Sequence, residues 1–585
     1  MTRTIARPII RKIEDNRDAL DYFEHVVLPA ENEKAQEIIM NFPTVYLHDW
    51  KESGEYEVYV GESNDIFRRT RQHYDAALIA GKWQNRLLEK DSSLFIIGHE
   101  HFNKSLTLDV ENRLMHYMMS VDKVRRVHNL RDNPQTNYYP ADELDAIFRK
   151  IWTGLRKENA ELFPTESSIR DSAIYKASPL HKLTKDQESA RELIIDKVSR
   201  ALENGETKQL IFIDGEAGTG KTVLTSSTFY ELYCRAEENG NTDIKCTLLV
   251  NHDEQITVYK QIADKLGLTE KYGEVVSKPT RFINTHTEDE PVDVAFVDEA
   301  HLLLTQGKQS YQGKNQLEDI ISLARVTVVM FDENQILTTE QIWEAQILDE
   351  YREMAKQFGN HFVLDKQLRM QADEETIDWI DSFTKHGILK KLPENTDGYI
   401  IKVCDKPEQL DVEIQKRAKA DDTALSRIVA TYDWNYNAKK KPESRFCKYW
   451  EVAIGEWHKP WNRELERDLS RREKRGIRGQ AWAEQPQTID EVGSTFTVQG
   501  FDLNYVGVIL GPSVKYRDGR ILFDPDASQN ERAVRNRTMS DGTKQKFGEI
   551  LIQHEVRVLM TRGVNGMYIY ACDEQLREAL KQAAL

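Results

Sequence analysis

Eight consecutive residues, Gly215-Glu216-Ala217-Gly218-Thr219-Gly220-Lys221-Thr222, have the types and spacing of a loop that cradles phosphates. Its glycines let backbone N–H groups turn toward one anion. The Lys221 ammonium can neutralise β- and γ-phosphate charge, and the Thr222 hydroxyl can hold Mg²⁺. Further on, Val297-Asp298-Glu299-Ala300-His301 closes an apolar run. Two adjacent carboxylates at a buried strand end are costly without a cation, so Asp298 is expected on Mg²⁺ and Glu299 on the attacking water. The bland alternative for that pair is a solvated helix start. Gly215, Gly218, Gly220, Lys221, Thr222 and Asp298 are thus the candidate ATP and Mg²⁺ residues.

A second kind of pattern lies between Lys439 and Gln480, where thirteen Lys/Arg stand against seven Asp/Glu, interleaved with Trp450, Trp457 and Trp461. Basic residues can track a phosphate backbone while aromatics stack on unpaired bases, as in a single-stranded DNA or RNA channel. A solvated helix with i,i+4 ion pairs would leave a similar trace.

These residues need elements to hold them. Leu210–Ile213, Thr247–Val250, Val294–Val297 and Thr327–Met330 are short apolar runs rich in β-branched residues, of the kind buried in a parallel sheet. They alternate with helical patterns, which predicts a RecA-like α/β core over 181–370. Runs at Val506–Leu510 and Met567–Tyr570 predict a second such core over 371–585, carrying the basic and aromatic insert. Before them, 146–180 reads as a helical linker broken by Pro164 and Pro179, and 1–145 as a smaller α+β domain. Within that domain, residues near 10–40 read as helix, and Thr44–Leu47 with Tyr56–Val60 as a β-hairpin. Helices are predicted over about 65–78 and 106–121.

At 585 residues the chain exceeds one hydrophobic core, so roughly two to four domains are expected. The 39% hydrophobic and 30% charged composition suits packed, soluble domains, and no apolar run is long enough to span a bilayer. The charged start is unlike a secretory leader, which makes the cytoplasm the expected compartment. Five scattered cysteines form no CxxC pair, arguing against structural zinc. A net charge of −17 leaves open a basic groove within an acidic body.

The order of motifs resembles superfamily 1 helicases. Leu183-Thr184-Lys185-Asp186-Gln187 is similar to the adenine-reading Q motif, with Gln187 as the base contact; Asn251 and His252 stand where motif Ia would lie. Phe331-Asp332-Glu333-Asn334-Gln335 resembles motif III, in which Gln335 would couple the γ-phosphate to the nucleic-acid site, and Leu368-Arg369 resembles motif IV. The carboxy-terminal part looks like the Schlafen group 3-like helicase domain. Glu491 to Asp502, containing Gln499 and Gly500, resembles motif V, and Arg557 to Gly563 resembles motif VI. The resemblance implies that Arg369 and Arg562 reach the γ-phosphate; Arg557 is either a further such contact or an ordinary surface arginine.

The first domain resembles the GIY-YIG nucleases. Thr44-Val45-Tyr46 stands where the first tripeptide would be, and Tyr59-Val60-Gly61 where the second would be. Arg69 and His73, four apart on one helix face, can approach one phosphate. The resemblance implies a single divalent ion, Mg²⁺ or Mn²⁺, on Glu111. Arg69 and His73 would stabilise charge, Tyr46, as phenolate or not, would activate water, and Asn129 would complete the site, with Asn133 and Asn137 as competitors. Thr44 departs from the usual glycine and could crowd Tyr46, and Val60 replaces the usual isoleucine. The whole reads as an ATP-dependent motor on DNA or RNA coupled to an endonuclease, an architecture similar to bacterial restriction or anti-phage defence effectors, with a repair enzyme as the alternative. Alternatives are an ATP-gated switch that does not translocate, and a first domain that binds without cutting.

Overall fold

The computed structural model describes residues 5–77, 83–88, 91–129, 138–241, 243–307, 311–394, 398–420, 424–442 and 447–585. The chain folds as two compact units, Met1–Lys182 with Tyr259–Val275, and Leu183–Val258 with Val276–Leu585.

In the first unit, β1 (Ile9–Glu14), β2 (Thr44–Glu52), β3 (Glu55–Ser63), β4 (Ser92–Gly98) and β5 (Val124–His128) form one sheet in the order β1-β4-β2-β3-β5. The helix expected near residues 10–40 is corrected at its start: Ile9–Glu14 pairs antiparallel with β4, from Ile9 opposite Gly98 to Glu14 opposite Ser93. The β-branched Ile9, Ile10 and Ile13 suit a pleated ladder, and a partner far along the chain decides between strand and helix. β2 and β3 join through Ser53 and Gly54, both at positive φ (54° and 89°), the twist a two-residue hairpin turn requires. Their register sets Tyr46 opposite Gly61 and His48 opposite Tyr59, so these four residues share one face. The helices Ile66–Ala77 and Lys104–Met119 complete this frame, the second capped by Asn103, whose side chain accepts from the Leu106 N–H.

The segment read as a linker folds largely as helix. Leu144–Glu158 buries Ile147, Phe148, Ile151 and Trp152, and belongs to the first unit. So does Tyr259–Val275, within which Lys265 is buried and donates to the carbonyls of Met119 (2.9 Å) and Val121 (2.8 Å).

The second unit contains two parallel sheets. The first has β6 (Gln209–Gly215), β7 (Cys246–Val250), β8 (Val276–Ser277), β9 (Val292–Asp298), β10 (Ala324–Phe331) and β11 (His361–Leu364), in the order β11-β6-β10-β9-β7-β8. The second has β12 (Ile400–Val403), β13 (Arg427–Ala430), β16 (Val492–Gly493), β17 (Leu503–Leu510) and β22 (Gly563–Ala571), in the order β12-β22-β17-β13-β16. Antiparallel pairs β14 (Glu451–Ile454) with β15 (Trp457–Pro460), β18 (Val514–Arg517) with β19 (Arg520–Phe523), and β20 (Asn536–Thr538) with β21 (Lys544–Lys546) lie in the same carboxy-terminal part of the chain, and Arg537 of β20 donates to the Thr339 carbonyl of the first core. The central strands are buried on both faces, as their continuous apolar runs require. Phe331 pairs with Asp214 and Val329 with Val297, so β6, β9 and β10 end along one edge, and the phosphate loop, Asp298 and Asp332 all leave the sheet there.

Two of the tryptophans proposed to stack on bases do not face solvent. Trp461 is 0% exposed and Trp457 is 8% exposed, both packed with Val452, Val492 and Ile509. Trp450 is half-buried, and its indole N–H donates to the Lys440 carbonyl. Basic residues of this segment do remain exposed, among them Arg471, Arg472, Lys474 and Arg475 on the helix Arg471–Gly476. Among the described residues no helix is long and apolar enough to cross a membrane.

Candidate functional site

The phosphate loop leaves β6 at Gly215 and enters the helix Lys221–Glu238, whose cap is Gly220 at φ 81°. Gly218 is also left-handed, at φ 87°. A Cβ at Gly218 would lie 1.9 Å from Gln367 Oε1, and one at Gly220 would lie 2.1 Å from Gln187 Nε2, so both positions need glycine for conformation and for space. Gln187 does two jobs with one amide. Its Oε1 accepts from the Thr184 N–H (3.0 Å) to close the capping box of the helix Lys185–Glu203, while its Nε2 donates to the Thr219 carbonyl (3.3 Å).

Lys221 is buried, and its Nζ donates to the carbonyls of Gly215 (2.7 Å) and Glu216 (2.8 Å) and lies 3.4 Å from Asp332 Oδ2. Asp332 also accepts from Gln335 Nε2 at 2.7 Å. Burial resists ionisation of Asp332, but Lys221, His301 and Gln335 outweigh it and hold the carboxyl below its usual range. The Thr222 hydroxyl donates to Asp298 Oδ2 at 3.3 Å, bringing the two expected Mg²⁺ ligands together. Glu299 follows in a left-handed conformation, φ 50°, a strain that aims its side chain into the site rather than onward along a helix. Burial resists its ionisation, yet His301, Lys221 and the Gln255 amide keep it a carboxylate. The glycine cradle, the buried ammonium and the Thr222–Asp298 pair fit an ATP·Mg²⁺ group.

The second core supplies the opposite wall. Gln499 Nε2 donates to the Gln335 carbonyl (3.2 Å) and lies 3.4 Å from His301 Nε2. Arg562 is fully buried: Nε donates to Val558 O (3.0 Å), Nη1 to Val498 O (3.4 Å) and Phe501 O (3.3 Å), and Nη2 has no hydrogen-bond partner among the described residues. Burial, then repulsion from Arg369, pushes its guanidinium down to about 9, while Asp502, Glu299 and Asp332 pull the other way. Arg369 is ion-paired with Asp502 at 2.5 Å. Its segment is tied to the loop, with Gln367 Nε2 donating to Ala217 O (2.7 Å) and the Leu368 N–H to Gly218 O (2.8 Å).

Arg557 is no surface arginine. It is 5% exposed and paired with Glu216 (2.5 Å) and Asp381, and Lys385 joins the same two carboxylates at 2.7 Å each. Sequence patterns named Glu216, Arg557 and Asp332 within their motifs but gave no sign of their partners Asp381 and Lys385, nor of Gln367 and Gln255. Only proximity in the fold relates Glu216 to Asp381, whereas Gln367 stood two residues before Arg369.

Residues 208–573 match the family described as Schlafen group 3, DNA/RNA helicase domain. The chain belongs to this family. An uncharacterized protein of Saccharomyces cerevisiae is 30% identical over 433 residues, which is 68% of this chain and 90% of that protein. Among solved structures, the PRRSV helicase is 12% identical with a TM-score of 0.27, over 65% of this chain and 56% of that one. The Pif1 helicase from Candida albicans is 12% identical with a TM-score of 0.20, over 41% and 55%. The chain spans little more than half the length of those two structures, and likeness at such scores carries no weight for the site.

In this Schlafen group 3 chain the first unit gathers a second set of polar residues on the β2–β3 face. The Tyr46 hydroxyl lies 3.0 Å from His73 Nε2, and the Tyr46 and Tyr59 rings stack at 6.1 Å. Gly61 is needed opposite Tyr46, since a Cβ there would come 2.5 Å from both Cζ and the hydroxyl oxygen. Burial pushes the Tyr46 phenol well above its usual range, with Arg69 opposing, which argues against a resting phenolate. Burial, His48 and Arg69 push His73 down to about 3, so the expected charge stabiliser is a neutral imidazole, able to accept from Tyr46. Glu111 is buried, and its Oε1 accepts from Asn129 Nδ2 at 3.1 Å; the same amide donates to Val60 O at 2.7 Å, with Asn129 at φ 62°. Asn133 and Asn137 lie outside the described residues. Thr44 turns its hydroxyl to the Ser63 carbonyl at 3.3 Å. His48, not anticipated, is buried with Nδ1 2.6 Å from Asp15 Oδ2, and Trp83 stacks on Tyr59 at 3.9 Å.

Proposed function

We propose that this protein is an ATP-hydrolysing motor on DNA or RNA whose first unit is a metal-dependent GIY-YIG-type endonuclease. The observation that carries the motor is the convergence of Lys221, the Thr222–Asp298 pair, Glu299, Gln335 and Gln499 at the edge of two parallel sheets, with Arg562 and Arg369 behind them. Bound Mg²⁺ would supply charge neutralisation between the β- and γ-phosphates. The chain's own residues do the rest. Backbone amides of the loop and Lys221 orient the triphosphate, Glu299 accepts a proton from water, Arg562 offers cationic stabilisation from the second core, and Arg369 offers it from the segment that follows β11. Because Arg562 and the base belong to different cores, hydrolysis depends on how the two cores meet, which is the basis for motion along a strand.

For the nuclease, support comes from the Tyr46–His73 contact, the close Gly61–Tyr46 approach and the Glu111–Asn129 hydrogen bond. Glu111 would hold one divalent ion, whose role is to polarise the scissile phosphate. Arg69 binds that phosphate, and Tyr46, hydrogen-bonded to neutral His73, passes on a proton from water. Because a relative occurs in a yeast, nothing confines this reading to bacterial defence.

The test is to incubate the purified chain with labelled single- and double-stranded DNA and RNA, with and without ATP and Mg²⁺ or Mn²⁺, following hydrolysis, unwinding and cleavage together. Lys221→Ala is expected to abolish hydrolysis, and Tyr46→Phe or Glu111→Ala to abolish cleavage. Hydrolysis that survives Lys221→Ala rejects the motor, cleavage that survives both nuclease variants rejects the nuclease, and hydrolysis without strand displacement or translocation leaves the ATP-gated switch.

A further inference from the structure

Gln255 stands near the start of the helix Asp253–Leu266 and is 6% exposed. Its Nε2 donates to Glu299 Oε1 at 3.3 Å. On its other side it is pressed against the second core, where a Cβ at Gly500 would come 2.5 Å from that nitrogen and 3.0 Å from its amide carbon. Gly500 is left-handed, φ 82°, and follows Gln499, which is itself bonded to the Gln335 carbonyl. The Gln255 amide therefore fills the gap between the expected base and the motif V turn, and its Oε1 has no hydrogen-bond partner among the described residues.

Two neighbours of Gln255 meet the second core as well. The His252 ring lies 6.2 Å from the Phe501 ring, and Glu254 is ion-paired with Arg463, a member of the basic segment 439–480. Residues 252–255 thus face the motif V turn and one basic residue of the second core with three contacts, and Gln255 is the one of them hydrogen-bonded to Glu299.

We propose that Gln255 is a positioning residue that couples the placement of the Gly500 turn to the orientation of Glu299, so that a nucleic-acid strand held by the second core sets the rate of ATP hydrolysis. The proposal rests on the motor reading above. A carboxylate that must accept a proton from one water needs a fixed rotamer, and displacement by about 1 Å can cost two orders of magnitude. Glu299 Oε1 is held by Gln255, whereas Oε2 lies 3.5 Å from His301 Nδ1 with no hydrogen-bond partner among the described residues, so the Gln255 amide is the group that orients the carboxylate. Gly500 lies too near the amide to admit even a methyl, so a shift of its backbone toward Gln255 moves the amide.

The test uses the full chain and compares wild type, Gln255→Met, Glu299→Gln, the double variant and Lys221→Ala. ATP hydrolysis is measured with and without polydeoxythymidine and polyuridine. Gln255→Met keeps the side chain's bulk and loses its amide. It is expected to leave the KM for ATP and oligonucleotide binding within about twofold, to lower stimulated kcat about tenfold or more, and to bring the stimulation ratio toward one. Added to Glu299→Gln it is expected to cost nothing further, which a general packing defect would not reproduce. Unchanged stimulation in Gln255→Met, a loss confined to KM, or additive losses in the double variant would overturn the proposal. Gln255→Ala repeats the comparison if Gln255→Met fails to fold. Absence of hydrolysis in wild type, or its survival in Lys221→Ala, overturns the motor reading and this proposal together, and shows in the controls alone.

Discussion

His73 is buried as a neutral imidazole, and that has a price in acid. With its folded value pushed to about 3 from the usual 6.5, the unfolded chain binds the extra proton between those limits. Stability from this group is therefore intact above 6.5 and is lost as pH falls toward 3, with a slope of about 1.4 kcal/mol per pH unit. His73→Gln is expected to flatten the pH dependence of the first unit's unfolding across that window, followed by denaturant melts at several pH values. An unchanged slope would mean that His73 is already charged in the folded protein. The phosphate-loop residues were legible in the sequence because their chemistry is packed into one octapeptide. The contacts of Gln255, Asp332 and the Glu216–Asp381–Arg557–Lys385 cluster were not, because their partners arrive from other segments of the chain.

At the level of elements, the β2–β3 hairpin and the parallel strands were legible from alternation, turn chemistry and unbroken apolar runs. Ile9–Glu14 was not, since nothing local distinguishes it from a helix before β4 offers its edge. The tryptophans of 439–480 misled for a related reason: an indole interleaved with lysines serves a small antiparallel pair as a core residue just as well. The hairpin carries its own prediction. Gly61→Ala would set a methyl 2.5 Å from Tyr46 Cζ, which must shift. It is expected to destabilise the first unit by about 1–3 kcal/mol and to stop cleavage while ATP hydrolysis continues. Cleavage at the wild-type rate would show that Tyr46 does not depend on this close approach. Likewise, Glu216→Gln removes the charge shared by Arg557 and Lys385, and is expected to lower kcat for ATP with little change in Tm, measured by steady-state kinetics and calorimetry.

For the whole molecule, two compact units are not expected to melt as one. A non-hydrolysable ATP analogue with Mg²⁺ at one hundred times its Kd is expected to stabilise the unit containing Lys221 by about 2.7 kcal/mol, leaving the transition of the other unit in place. A single calorimetric transition that moves as a block would refute this independence.

Tyr259–Val275 gives the two halves a shared inheritance. This stretch lies between the phosphate loop and Asp298 in sequence but belongs to the first unit, where burial has already drawn the Lys265 ammonium down to about 8. A gene cut after Lys182 would separate that ammonium from the Met119 and Val121 carbonyls to which it donates. The halves are therefore not cassettes that recombination can trade one at a time. Any exchange of the first 182 residues must carry the seventeen-residue stretch from 259 to 275 with it, or repair the mismatch by mutation.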